Sequence, residues 1–138
     1  IVGVLASVAI PSYRKSVMKT NRTAAKTALL DLAAREEKYY SLNNNYSGTK
    51  TTASTSTVPI DLFGSSTTIT FPINVPMTGP ALYTIAAPVV TIPGGTAPNY
   101  VVLTATPVST GAQANDQCGS FSLSTTGVQS VSGTGSCW

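Results

Sequence analysis

Few side chains in this 138-residue chain could carry chemistry, and most of those that could are basic. The chain has no histidine, eight lysines and arginines, and five carboxylates. Without histidine, the commonest general base and a common metal ligand are missing. We therefore predict that the chain is not an enzyme and that it binds neither a metal nor another cofactor.

The basic residues all lie in the first fifty positions, whereas residues 51–138 contain only two charged residues, Asp61 and Asp116. Five of the basic residues form a cluster, for which three interpretations stay open. The cluster could face lipid headgroups just beyond a membrane segment, pack between subunits, or contact the phosphates of a nucleic acid. Its members are Arg14, Lys15, Lys19, Arg22 and Lys26.

Two cysteines, Cys118 and Cys137, lie near the C-terminus. The low charge and the many Thr and Ser residues are typical of an exported, oxidised domain. A bond between these cysteines would stabilise the fold by about 3 kcal/mol through loop closure. Two free, buried thiols are the alternative.

The elements that position these groups begin with one long helix, predicted over residues 1–42. Residues 12–42 contain no Gly or Pro and are rich in good helix formers. The apolar segment 1–10 is shorter than the roughly 20 residues that span a bilayer. We expect a processed or truncated chain in which this segment is part of a membrane or filament-core helix. Pro11 should loosen the helix just before it.

A stripe at helical spacing along this helix predicts the face that packs on a sheet. Glu36 lies on the stripe, and we expect it to pair with a local Arg or to reach the rim of the interface. Asn43 to Asn45 should end the helix. The residues predicted to pack helix against sheet are Ala25, Ala28, Leu29, Leu32, Tyr39 and Tyr40.

After the helix, residues 43–138 are predicted to form one globular domain. It starts with an irregular connection, the αβ-loop over 43–67. Alternating residues then predict strands over 68–74, 81–90, 99–106 and 119–124, within a sheet region 68–125. The short connections favour antiparallel pairing. The C-terminal region, 118–138, should hold a short strand pair at best, with Gly127 at its turn.

These residues resemble the type IV pilins, most closely the PilE-type, minor pilins of Gram-negative bacteria. The N-terminal likeness lies in the runs Ile1 to Ala6 and Ala9 to Tyr13, continued by Arg22-Thr23-Ala24 and Tyr39-Tyr40-Ser41. The C-terminal likeness lies in Tyr100, in Leu103 to Pro107, in Asp116, Cys118-Gly119 and Gly127, and in Cys137-Trp138. The likeness spans both ends of the chain, and residues 47–98 match only in character.

The resemblance implies an α+β fold with a long N-terminal α-helix packed on a four-stranded antiparallel β-sheet, and a C-terminal loop closed by a Cys118–Cys137 bond. It also implies a structural pilus subunit that assembles through its helix into a filament for adhesion, twitching motility or DNA uptake. The residues that would pack in the filament core are Val2, Val4, Leu5, Val8, Ile10 and Pro11.

The implied partners are other pilin subunits, the inner membrane before assembly and the pilus assembly machinery, with DNA or surface contact through the filament. The implied location is the inner membrane and then the extracellular pilus of a Gram-negative bacterium. Two alternatives stay open, a type II secretion pseudopilin and a minor pilin that binds DNA or surfaces at the pilus tip. A basic or aromatic patch on the exposed domain would indicate the second.

Overall fold

The computed structural model describes residues 2–44, 46, 57–58, 69–91 and 100–138. Its first element, α1, is a helix from Val2 to Asn43. Pro11 lies inside α1, and the helix continues on both sides of it. The single chain therefore shows no break at Pro11. The loosening that we expect in the assembled filament stays a prediction.

The end of α1 follows from asparagine chemistry, as the sequence predicted. Asn44 adopts a positive φ of 53°, a conformation that asparagine tolerates better than most residues. Its backbone N–H donates to the carbonyl of Tyr40 at 2.7 Å, which satisfies one of the last free carbonyls of the helix.

Short strands follow α1, and all of their pairings within the described residues are antiparallel. The longest strand is central, because it pairs with three others and carries an alternating pattern of buried residues. The strands are β1 (Thr57–Val58), β2 (Ile69–Thr70), β3 (Ile73–Val75), β4 (Tyr83–Ile85), β5 (Val89–Thr91), β6 (Tyr100–Pro107), β7 (Phe121–Ser124) and β8 (Gln129–Val131).

The main sheet has the order β3-β4-β6-β7-β8, with β5 also paired to β6. Contacts between α1 and β3, β6 and β7 place the helix on one face of this sheet. The prediction of a long helix packed on an antiparallel sheet is therefore confirmed. Among the described residues the main sheet has six strands instead of the four that were predicted.

A break near Pro88 and one turn account for the two extra strands of the main sheet, β5 and β8, and Pro72 separates β3 from β2, which pairs with β1 in a second sheet. The predicted strand 68–74 divides at Pro72 into β2 and β3, and the predicted strand 81–90 divides before Pro88 into β4 and β5. Proline cannot donate to a ladder, so a strand tends to break at it. The strand β8 forms because the chain turns at Gly127, which has a φ of 86°, as the sequence predicted.

The predicted αβ-loop, 43–67, is only partly described. Within it, β1 pairs with β2 through Thr57–Thr70 and Val58–Ile69, so this stretch is not wholly irregular. The rest of the αβ-loop, residues 45, 47–56 and 59–67, lies outside the described residues.

The core lies between α1 and the sheet. Three α1 residues, Ala25, Leu29 and Leu32, are buried against it. Their spacing of four and three residues places them on one face of the helix. The sheet contributes Phe71, Ile73, Val75, Tyr83, Ile85, Val101, Leu103, Ala105, Phe121 and Leu123.

The N-terminal part of α1 extends away from this core, since residues 9–16 are all exposed. At a helical rise of about 1.5 Å per residue, the part of α1 before residue 17 is roughly 20 Å long. Among the residues described, no helix has both the length and the apolar character to cross a membrane.

Candidate functional site

A buried carboxylate joins three parts of the fold. The Asp116 side chain is fully buried and forms a salt bridge with Arg22 of α1, with Nη2 and Oδ1 2.5 Å apart. Arg22 Nε also donates to both carboxylate oxygens, at 3.0 and 2.9 Å. Further donors are Tyr83 of β4 at 2.9 Å, Gln113 at 3.0 Å and the Cys118 backbone N–H at 3.0 Å.

Gln113 extends this network back to α1. Its side chain is fully buried. Its Oε1 accepts from the Asn21 amide at 3.1 Å, and its Nε2 donates to the Tyr83 hydroxyl at 2.9 Å. The loop after β6, residues 109–118, is thus fixed to the helix by hydrogen bonds that are at least partly buried. Such networks hold one conformation when every member is satisfied.

The network sets the protonation states of its members. Burial alone would raise the pKa of Asp116, but hydrogen bonds from Arg22, the Cys118 amide and Tyr83 outweigh it and lower that pKa. Burial, with the carboxylate beside it, raises the pKa of Tyr83 to about 12. The hydrogen bond to Asp116 raises the pKa of Arg22. The pair is therefore ionised near neutral pH, and the phenol is neutral.

The structure divides the basic cluster into two groups. Arg22 forms the salt bridge with Asp116. Lys26 places its Nζ 5.6 Å from the ring centre of Phe121 and 5.7 Å from that of Trp138, within the range of cation–π attraction. The other three members, Arg14, Lys15 and Lys19, are exposed.

The exposed basic residues line a cleft beside the loop after β6. This cleft, which we call the basic cleft, has a volume of about 470 Å³. The loop contributes the exposed residues Asn115 and Gln117, whose side chains are amides. None of the described residues that line the cleft is acidic. The full lining is Arg14, Lys15, Met18, Lys19, Arg22, Asn115 and Gln117.

The C-terminal region is closed by the Cys118–Cys137 disulfide, with a Cα–Cα distance of 5.9 Å. Cys118 follows Asp116 by two residues, so the network also anchors one end of the bridge. The last residue, Trp138, donates its indole N–H to the Ser130 carbonyl at 2.8 Å and packs edge-on against Phe121.

Five of the six residues predicted to pack the helix on the sheet are buried or half-buried at the core. Ala25, Leu29 and Leu32 are buried, and Ala28 and Tyr39 are half-buried against the core. Tyr40 stacks on Tyr46, with ring centres 4.5 Å apart. Glu36 is completely buried, not at the rim of the interface.

Six residues were predicted to pack in the filament core, and the structure describes the side chains of two of them, Ile10 and Pro11. The side chains of Val2, Val4, Leu5 and Val8 lie outside what the structure describes. Ile10 is 58% exposed, and Pro11 is also exposed.

A groove of about 910 Å³ lies between α1 and β3, the strand at one edge of the main sheet.

Sequence reasoning missed most of the polar network. The sequence contained no signal for Tyr83, Gln113 and Asn21. Most of their hydrogen-bond partners lie 30 to 95 positions away in the chain, and only the fold brings them together. Asp116 carried a weak signal, as one of two charges in residues 51–138. Had it been expected in the core, it would have required a basic partner from α1. In the part of the chain described, no three metal-type ligands cluster.

Comparison with known proteins gives one family. A family model described as "Type IV minor pilin ComP, DNA uptake sequence receptor" matches residues 11–122. The matched region contains α1 from Pro11 onward, the exposed basic residues and the loop after β6. A search of curated proteins gives no match.

Proposed function

Because this chain belongs to the family of the type IV minor pilin ComP, we propose that it is a DNA-receiving subunit of a type IV pilus. The observation that carries the proposal is the family match over residues 11–122 of the 138. The chain is a type IV minor pilin, as its sequence resemblance indicated. The ComP family is described as a receptor of DNA uptake sequences, and we extend that role to this chain.

The fold supports assembly through α1. The exposed stretch 9–16 continues from a segment whose sequence is largely apolar, residues 1–10. Burial of a large apolar side chain between subunits stabilises the contact by about 1.5–3 kcal/mol. A helix that extends from its own domain can make such contacts with neighbouring pilin subunits, and contacts of this kind, repeated without closing, form a fibre.

Before assembly, segment 1–10 lies in the inner membrane of a Gram-negative bacterium, where the pilus assembly machinery takes up the subunit. In the pilus, the globular domain then meets DNA. The chain acts by assembly and binding, without catalysis. The match to a pilus family supports this role over that of a type II secretion pseudopilin.

Deletion of the gene in the source cells tests the proposal. We expect uptake of labelled, nuclease-protected DNA to fall to background and to return when the wild-type chain is supplied. Mass spectrometry of sheared pili should find the chain among the pilus subunits of wild-type cells. Unchanged DNA uptake in the deletion strain would overturn the DNA-receiving role. Absence of the chain from the sheared pili would overturn its place in the filament.

A further inference from the structure

No further inference is drawn: the strongest candidate, the apolar groove of about 910 Å³ between α1 and the edge strand β3, is an unpartnered face of the fold, and nothing in the structure shows what covers it.

Discussion

Asp116 shows how one residue can connect distant parts of this fold. Burying a carboxylate is costly unless a cation and hydrogen bonds compensate it. Here Arg22, Tyr83, Gln113 and the Cys118 amide all do so. The same carboxylate therefore fixes α1, β4 and the disulfide-closed region relative to one another.

The substitution Asp116→Asn should destabilise the fold strongly, because it leaves Arg22 and the other donors facing an amide. Loss of one partner from a buried pair costs about 3–5 kcal/mol. Since the Arg22 side chain stays 25% exposed, we expect the lower end, about 3 kcal/mol. Denaturant unfolding measures the change. The control Asp31→Asn breaks an exposed pair of α1 and should cost about 0.5 kcal/mol or less. Equal losses in the two variants would contradict the role of Asp116.

The stabilising effect of Asp116 should depend on pH in one direction. Its pKa is lower in the folded chain than the ordinary value of about 3.9. Its contribution is therefore fully present above that value and is lost as the pH falls toward the folded pKa. The difference in unfolding free energy between the wild type and Asp116→Asn should stay constant from about pH 7 to pH 5 and shrink below about pH 4. A difference that shrinks above pH 5 would point to another titrating group.

At the scale of elements, the seam between α1 and the sheet holds the fold together. Leu29 is completely buried in this seam, and its neighbour Leu30 is 51% exposed. Leu29→Ala should therefore cost about 2–5 kcal/mol, and Leu30→Ala should cost about 1 kcal/mol or less. Unfolding curves of the two variants give the comparison. If both cost the same, α1 does not pack on the sheet by the face described.

The C-terminal region packs on the loop after β6 at a position where only glycine fits. A Cβ on Gly133 would clash with the Gln117 carbonyl oxygen, whereas on Gly111 it would meet nothing closer than 3.5 Å. Gly133→Ala should thus destabilise the fold by at least about 1–3 kcal/mol, with Gly111→Ala as the near-neutral control. Thermal unfolding of both variants checks this. An unchanged midpoint for Gly133→Ala would contradict the close packing.

The elements were more predictable from sequence than their connections. The composition of residues 12–42 and the tolerance of Asn44 for positive φ are local properties, so α1 and its end were predicted closely. The alternation in β6 was equally local. Pro72 and Pro88 carry a local signal for a strand break, because proline cannot donate to a ladder. The partner strand of each half and the network around Asp116 depend on residues far apart in the chain. Local patterns do not contain that information.

In the molecule as a whole, the two parts of the chain differ in charge and in secondary structure. The basic residues and the exposed helical stretch lie in the first fifty residues, and the sheet is nearly uncharged. We therefore assign assembly to the beginning of α1.

Assembly should change α1 near Pro11. This residue lacks the N–H for an interior hydrogen bond, so the helix is easier to unwind there when it packs among the helices of neighbouring subunits. We expect a cryo-electron microscopy map of the filament to show the backbone just before Pro11 without regular helix. Unbroken helical density from Val4 to Tyr13 would contradict this.

Selection from random DNA would show whether this minor pilin receives DNA. The full-length chain in neutral detergent would be mixed with random duplexes, and the retained DNA would be sequenced over successive rounds. We expect the chain to retain duplexes and to enrich a short common sequence. Failure to retain duplexes, or retained DNA with the composition of the starting pool after every round, would contradict a receptor of DNA uptake sequences.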